Sequence, residues 1–244
     1  MALKDYIKDL TTYAVGVGCF DKIKIVANKD SILFEGSEKE KEVILKGKFE
    51  HPSAELSGEF GLANLSLLQT IISDPEFNSK ESEISVKYKA DKSPDELIYQ
   101  NKSKSYVNYR FTDSRLLPQI PEYVEQKYNI SISPSKHSIQ QFMWVANGLA
   151  SYEQYFMPRI VDGNLKFFIG AEDAATQKGG VLMASDRSEK LDSKYSWKIQ
   201  QVINVLKVAD TCDCEMHFTD KGAIVITLKT GVATYKYIFL GKIR

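Results

Sequence analysis

The chain has 244 residues, of which 43% are hydrophobic and 26% charged, so it can bury a sizeable core and is not dominated by disorder. Its 32 basic residues balance 32 acidic ones, which argues against a DNA-binding domain that grips phosphates through net positive charge. No apolar run approaches the roughly 18 residues of a membrane span, and three cysteines do not make a disulfide framework, so we expect a soluble, cytoplasmic protein.

The first half of the chain combines helix and strand patterns. Residues 3–14 carry one apolar stripe at helical spacing, formed by Leu3, Ile7, Leu10 and Ala14. A second helix is predicted over 63–73, with Leu65, Leu68, Ile71 and Ile72 on one side. Alternating apolar residues separated by turn signals predict strands at 22–26, 31–34, 42–49, 83–89, 96–100 and 105–112.

Residues 114–127 differ in character from both halves. They contain two prolines and no clear period, which predicts an extended connector between a first domain, 1–113, and a second, 128–244. Two interpretations of its apolar side chains stay open. They tuck against the domains, or they form an exposed strip that captures a partner's peptide. These side chains are Leu116, Leu117, Ile120, Pro121, Tyr123 and Val124.

The second half repeats the order of the first. Pro134 and Ser135 are a helix start signal, and the apolar stripe that follows is Ile139, Phe142, Met143 and Ala146. Another helix is predicted over 199–209. Strands are predicted at 129–133, 152–161, 164–170, 181–185, 194–198, 215–219, 223–228 and 234–240. Because corresponding helix starts are roughly 132 and 136 residues apart, the pattern indicates a duplicated α+β unit.

The polar faces of the four helices allow two interpretations. Either they are ordinary solvated faces, or they make weak, salt-sensitive contacts to phosphate that do not read sequence. The last three contain no acidic residue, whereas the first keeps Asp5 and Asp9. The residues opposite the apolar stripes are Lys4, Lys8, Thr11 and Thr12; Asn64, Gln69 and Thr70; Lys136, Gln140 and Asn147; and Gln200, Asn204 and Lys207.

Signals for catalysis and metal binding are poor. Cys212, Cys214 and His217 are soft ligands close in sequence, but a zinc site needs four ligands with paired spacing. The same residues lack a visible orienting partner for a Cys/His nucleophile. We therefore assign no catalytic residue, metal or cofactor, and an enzyme is the weaker hypothesis.

Several motifs carry a family resemblance in their order and spacing across the full chain. Gly58–Leu65 resembles a strand that leads into a helix in phage DNA clamps, Ile120-Pro121 resembles their connector, and Ile132–Ser135 opens the second-half helix. The ending, Tyr235–Ile243, resembles the final strand and tail of cellular clamps. The chain resembles the DNA polymerase sliding clamps, most closely the T-even-type tailed-phage members. It is also similar to the cellular trimeric clamps of the proliferating cell nuclear antigen (PCNA) family.

The resemblance implies the DNA-clamp fold, an α+β fold with two similar strand-and-helix domains per subunit. Three subunits would form a ring with helices lining the hole and antiparallel sheets outside. The implied function is a processivity factor in DNA replication that encircles duplex DNA without reading its sequence and tethers the replicative polymerase. It implies an ATP-driven clamp loader and a cytoplasmic location, in the host cell if the source is a bacteriophage. Transcription or repair factors are further candidate partners, and no membrane is involved. The alternative is a non-ring DNA-processivity or peptide-binding scaffold of the same fold.

The resemblance also implies three sets of site residues. The DNA-facing residues would be Lys4, Lys8, Lys136, Gln140, Gln200, Asn204 and Lys207. The pocket for partner peptides would comprise Leu117, Ile120, Pro121, Tyr123, Leu240, Gly241 and Ile243. The subunit interface would pair 105–112 of one copy with 180–185 of the next, through Tyr106, Tyr109, Phe111, Val181 and Met183.

Overall fold

The structure, a computed structural model, describes residues 2–77, 79–170, 177–191 and 194–243. The chain divides into two compact units. The first is Met1–Pro121 with Lys229–Tyr235, and the second is Glu122–Leu228 with Lys236–Arg244. The division after Pro121 falls inside the segment that the sequence assigns to a connector.

The first unit contains helices α1 (Leu3–Leu10) and α2 (Leu65–Ser73). Both bury the apolar stripe predicted from the sequence. Helices this short are marginal in water on their own, so burial of the stripe supplies most of their stability. The buried side chains are Leu3, Tyr6, Ile7 and Leu10 in α1, and Leu65, Leu68, Ile71 and Ile72 in α2.

A π-helical turn, Thr11–Val15, extends α1. It closes with a hydrogen bond from the Gly16 backbone N–H to the Thr11 carbonyl, 2.9 Å long and five residues apart. The sequence assigned Thr11 to the polar face, and this assignment is wrong because Thr11 is buried. Its hydroxyl donates to the Ile7 carbonyl at 2.6 Å, so a threonine beside the apolar stripe can be buried without losing its hydrogen bond.

The strands of the first unit form two antiparallel sheets. One has the order β8-β4-β1-β2-β3 and the other β5-β6-β7. Central register pairs Ile25 of β1 with Phe34 of β2 and Phe60 of β4, and all three are buried. The strands are β1 (Lys22–Ala27), β2 (Ile32–Ser37), β3 (Val43–Phe49), β4 (Gly58–Ala63), β5 (Glu83–Tyr88), β6 (Pro94–Gln100), β7 (Tyr106–Arg110) and β8 (Thr112–Asp113).

The second unit contains helices α3 (Lys136–Leu149) and α4 (Ile199–Val208). The predicted start of α3 is confirmed, because the Ser135 hydroxyl caps the helix by accepting from the Ser138 backbone N–H at 3.0 Å. Within the described chain, no helix is long and apolar enough to cross a membrane. The buried side chains are Ile139, Phe142 and Ala146 in α3, and Ile199, Val202, Ile203, Val205 and Leu206 in α4.

The strands of the second half of the chain lie in two runs of neighbours. The antiparallel run has the order β12-β11-β10-β13-β17, and the other is β16-β15-β14-β9, in which β16 begins in the first unit and continues in the second after Tyr235. The predicted hairpin at Asp162–Gly163 joins β10 to β11, with Val161 opposite Asn164. The strands are β9 (Ile130–Ile132), β10 (Tyr155–Val161), β11 (Asn164–Ile169), β12 (Gly179–Ala184), β13 (Tyr195–Lys198), β14 (Asp213–Phe218), β15 (Ala223–Lys229), β16 (Ala233–Leu240) and β17 (Lys242–Ile243).

Each unit has its own aromatic core. In the first, the rings of Phe34 and Phe49 lie 5.1 Å apart, with Tyr6 of α1 at 4.9 Å from Phe49. In the second, Phe142 of α3 lies 5.2 Å from each of two aromatic rings of β10 and β11, Phe156 and Phe167. In both units the core therefore fixes which side of the first helix remains exposed.

Candidate nucleic-acid and partner interfaces

The outer side of α1 presents the first two lysines that the sequence assigned to DNA. Lys4 is half-buried, and its ammonium donates to the Ser79 carbonyl and to the Ser82 hydroxyl, the latter at 2.7 Å. Burial and then the charge of Lys8 lower the pKa of Lys4, while Asp5 raises it. Lys8 is exposed. Lys4 is thus held by the segment that follows α2, whereas Lys8 faces solvent.

The exposed side of α2 is uncharged and mostly polar, although Leu67 is 37% exposed. Asn64, Gln69 and Thr70 are all exposed, as the sequence predicts. The Thr70 hydroxyl donates to the Ser66 carbonyl of the preceding turn at 2.9 Å. This face can offer hydrogen bonds to phosphate or its water, but no ionic contact.

In the second unit, Lys136 occupies the first position of α3. Its ammonium donates to the backbone carbonyl of Asp210 at 2.7 Å and lies 3.5 Å from the Asp210 carboxylate. Sequence reasoning missed Asp210. It follows α4 directly and is visible as an acidic residue, but its pairing with Lys136 depends on how the two helices pack.

The remaining residues assigned to DNA lie on the outer sides of α3 and α4. Gln140, Gln200 and Lys207 are exposed, and Asn204 is half-buried. The Gln200 amide donates to the Asn204 side-chain oxygen at 2.7 Å, an i, i+4 pair along α4. Lys8 and Lys207 are therefore exposed lysines, whereas Lys136 is exposed but paired with Asp210.

Trp144 also belongs to the exposed side of α3, and sequence reasoning missed it. Its side chain is 74% exposed. The signal was available, because Trp144 lies four residues after Gln140 and therefore on the same side of the helix. A large aromatic side chain left in solvent is typical of a contact surface.

The two strands assigned to the subunit interface are both sheet edges. In the described part of the chain, β7 ends the three-stranded sheet of the first unit and β12 ends the five-stranded sheet of the second. A strand edge offers unpaired N–H and C=O groups to another chain. The outward side chains are Tyr106, 67% exposed, on β7 and Leu182, 46% exposed, on β12.

Four of the five side chains assigned to that interface face the other way. Tyr109, Phe111, Val181 and Met183 are buried inside their own units, so they would join a strand-edge contact through their backbone and not through their side chains. Side chains alternate along a strand, so counting from the wrong residue selects the core side. Of the assigned set, Tyr106 is the one that is exposed.

Three residues assigned to the partner-peptide pocket lie in the first unit. Leu117, Ile120 and Pro121 are half-buried. Leu117 packs so closely on Gly61 of β4 that a Cβ there would lie 2.7 Å from the Leu117 Cδ2, so a larger residue at position 61 would displace the Leu117 side chain. Leu116, its neighbour, is 70% exposed. The connector thus tucks some of its apolar side chains against the first unit and leaves others exposed.

The other four residues assigned to the pocket lie in the second unit. Leu240 is 42% exposed and Ile243 70% exposed. Gly241 fixes the chain between them, because its N–H donates to the Gly222 carbonyl at 2.7 Å. Tyr123 is half-buried, and burial followed by the nearby Glu125 raises its pKa.

The second half of the connector is held by a polar cluster within the second unit. The Glu125 carboxylate accepts from the Lys236 ammonium at 2.8 Å and from the Tyr128 hydroxyl at 3.1 Å. These hydrogen bonds lower the pKa of Glu125. Burial and then Glu125 raise the pKa of Tyr128 to about 12. Tyr128 in turn stacks on His217 with ring centroids 4.3 Å apart.

The cysteine and histidine residues near the end of the chain do not form a metal centre or a nucleophile pair. In the described ranges, no group of three or more His, Cys, Asp or Glu side chains is placed to hold a metal ion. Burial, then Cys212 and Glu215, raise the pKa of the Cys214 thiol to about 12, so it carries little thiolate at neutral pH. His217 is bonded to the Ser131 hydroxyl at 2.8 Å.

Comparison with known proteins gives a clear result at the level of the fold. No protein-family model and no curated protein matches the chain. Solved structures of PCNA do resemble it. A. fulgidus PCNA, in a structure with the C-terminal region of FEN-1 bound, has a TM-score of 0.73 at 10% identity over 99% of this chain and 96% of that chain.

Two further PCNA structures agree. PCNA from Thermococcus kodakaraensis has a TM-score of 0.71 at 10% identity, covering 99% of this chain and 98% of that one. PCNA from Entamoeba histolytica has a TM-score of 0.70 at 10% identity, covering 97% of this chain and 96% of that one. The chain therefore has, over nearly its whole length, the PCNA fold that its sequence resemblance to sliding clamps implies.

Proposed function

We propose that this chain is a DNA polymerase sliding clamp, a ring that encircles duplex DNA and tethers the replicative polymerase for processive synthesis. The observation that carries the proposal is the extent of the fold likeness, which spans 97–99% of this chain and 96–98% of the PCNA chains. Both units contribute to the matched range. We propose no catalytic step for it.

Topological holding accounts for the charge of the chain. A protein that grips DNA by affinity needs a strongly basic face, but 32 basic and 32 acidic residues leave no net charge. A closed ring stays on DNA without such a face and needs only scattered cationic and amide groups. Exposed Lys8 and Lys207, with Gln140 and Gln200, are groups of that kind.

Assembly would use the two edge strands. Pairing β7 of one copy with β12 of the next is a head-to-tail contact, which gives a ring when its rotation closes. Such pairing covers both edges in every subunit. The expectation of three subunits rests on the sequence resemblance to sliding clamps. The expectation of a T-even-type phage origin rests on the same resemblance.

Partner proteins would dock on the apolar side chains of the connector and the tail. The A. fulgidus structure is described as PCNA with the C-terminal region of FEN-1 bound, and we propose that this chain likewise receives peptide segments. The replicative polymerase, an ATP-driven clamp loader, and transcription or repair factors are the proposed partners. The proposed docking residues are Leu117, Ile120, Pro121, Tyr123, Leu240, Gly241 and Ile243.

The native mass tests this proposal. Sedimentation equilibrium over a wide concentration range should show a species of about 83 kDa, three times the 27.6 kDa of one chain. A mass of one chain at every concentration would contradict the ring and favour a one-faced scaffold of the same fold. Such a scaffold should bind linear duplex in a strongly salt-dependent way.

A further inference from the structure

The end of the connector crosses three strands of the second unit and lies in no helix or strand itself. This segment, residues 122–128, is called the strap below. Its Glu125 carboxylate lies 2.8 Å from the Lys236 ammonium of β16. Its last residue, Tyr128, contacts His217 of β14. Since β15 lies between β16 and β14 in the sheet, side-chain contacts hold the strap on either side of β15.

His217 points toward the strap because of its place in β14. Its neighbours Met216 and Phe218 are 0% and 1% exposed, and side chains alternate along a strand, so His217 lies on the face away from the core. Its Nδ1 lies 2.8 Å from the hydroxyl of Ser131 of β9, the residue directly opposite it in the register. The sheet thus fixes the imidazole, which offers its flat side to Tyr128.

The stack of Tyr128 on His217 is the stronger attachment of the strap. The ring centroids are 4.3 Å apart with 11° between the planes, and the His217 side chain is 13% exposed. The side chains of Lys236 and Glu125, in contrast, are 41% and 61% exposed. An exposed ion pair contributes little to stability. The position of the strap therefore depends more on the imidazole than on the ion pair.

Protonation of His217 adds attraction on more than one side. The Glu215 carboxylate of the same strand lies 3.7 Å from the Nε2. A cation is also attracted to the face of an aromatic ring, here that of Tyr128. From the strap, the Glu125 carboxylate interacts electrostatically with the imidazole.

The cations that approach from β16 and from the segment after β12 are each paired with a carboxylate. Lys236 is bonded to Glu125. The Arg187 guanidinium donates to the Ser131 carbonyl at 2.7 Å and lies 3.0 Å from the Glu189 carboxylate. Their repulsion of a protonated His217 is therefore reduced. Burial of the ring opposes its charged form, so the net gain should be only a few-fold.

We propose that His217 positions the strap through Tyr128 and holds it more firmly when the imidazole is protonated. The consequence for function rests on the proposed docking of partner segments, since Tyr123, one of the proposed docking residues, belongs to the strap. The docking surface is therefore better ordered at the acidic end of the range in which histidine titrates, about pH 5 to 8.

Hydrogen exchange of the strap amides, measured by mass spectrometry on the full chain, tests this hold. Protection factors of residues 122–128 should be about threefold higher near pH 5 than near pH 8. His217→Phe, which keeps a ring for stacking but takes up no proton, should retain the protection without its pH dependence. His217→Ala should lose about tenfold in protection at both pH values. His137→Phe is the matched control, because His137 is exposed on α3, and it should behave like the native protein.

Each outcome decides the proposal. A pH dependence in His217→Phe equal to that of the native protein would assign the proton to another group and overturn the proposal. Unchanged protection in His217→Ala would overturn it as well, and the phenylalanine variant decides the question even if the alanine variant does not fold. Failure of the native protein to stay on end-blocked DNA, with the pH dependence of the strap intact, would overturn the proposed function and support the role of His217.

Discussion

The two units use a lysine at the start of their first helix in the same way but in different surroundings. Lys4 and Lys136 each donate to a backbone carbonyl in the segment that follows the second helix of their own unit, at Ser79 and Asp210. Lys4 is half-buried with a serine hydroxyl as its second partner, whereas Lys136 is exposed beside a carboxylate. The duplicated position therefore ties the first helix of each unit to the segment after the second, and only part of its charge is available to DNA.

The helices themselves follow one pattern in both units. An offset of 132 residues places Ile7, Leu10 and Ala14 on Ile139, Phe142 and Ala146, all buried. The same offset aligns Lys8 with Gln140, and both are exposed. The core side is thus repeated while the outer side has changed. This is expected if close packing constrains the core side and only weak contacts with solvent or phosphate constrain the outer side.

The largest expected effect is a loss of folding stability when a residue on the buried side of α3 is truncated. Phe142→Ala should lower the free energy of unfolding by about 3–5 kcal/mol, because it empties a site between two aromatic rings. Trp144→Ala, two residues away on the exposed side, should change it by less than about 0.5 kcal/mol. Urea unfolding of both variants would show the difference, and similar losses would contradict the assignment of faces.

Charge reversal on the outer side should affect DNA rather than folding. Replacing Lys8 and Lys207 by glutamate should weaken binding to linear duplex at low salt by about tenfold and flatten its salt dependence. The control is the same reversal at Lys48 and Lys166, which lie on strands β3 and β11. Equal losses in the two double variants, measured by fluorescence anisotropy, would rule out the helix face as the DNA side.

Lys4 and Lys136 should differ in their contribution to stability. Lys4→Met should cost about 1 kcal/mol, because it removes two hydrogen bonds from a half-buried ammonium. Lys136→Met should cost less than about 0.5 kcal/mol, since the pair with Asp210 is solvent-exposed. Thermal unfolding with equal losses for both variants would contradict the distinction.

The smallest expected effect is a pH dependence confined to the first unit. Burial raises the pKa of Asp9 above its ordinary 3.8, although the hydroxyls of Tyr235 and Thr230 donate to it and lower the pKa again. Because the folded pKa is raised, the contribution of this carboxyl is fully present below the unfolded pKa and is lost as pH rises through the folded one.

The stability of the native protein relative to Asp9→Asn should therefore fall as pH rises from about 3.8 across the acidic range. Gln141→Asn is the control, because the 132-residue offset places Gln141 at the matching position of α3 and glutamine has no titratable side chain. A difference that stays constant or grows with pH in urea unfolding would contradict the raised pKa of Asp9.

The sequence predicted the parts of the fold that depend on local pattern. The buried stripes of α1 and α2, the Ser135 cap and the Asp162–Gly163 hairpin follow from spacing and turn chemistry. It did not reveal that Thr11 is buried, because a hydroxyl bonded to its own helix can lie on either side of the boundary.

The candidate sites were less predictable because they depend on tertiary packing. The bonds of Lys4 and Lys136 join segments 75 and 74 residues apart, which no local pattern encodes. The inward orientation of Val181 and Met183 depends on which face of β12 meets the core, and both faces there are apolar. Trp144 had a signal in its spacing from Gln140, whereas the close approach of α3 to Gly179 depends on packing.

Retention on end-blocked DNA tests the central claim most directly. The protein would be incubated with linear duplex biotinylated at both ends, with streptavidin added either before or after it, and then transferred to 0.5 M salt for gel filtration. A ring held topologically should stay on the duplex only when the ends are blocked after binding, since salt removes electrostatic contacts. Equal retention, or equal loss, in both orders of addition would contradict a ring that encircles DNA.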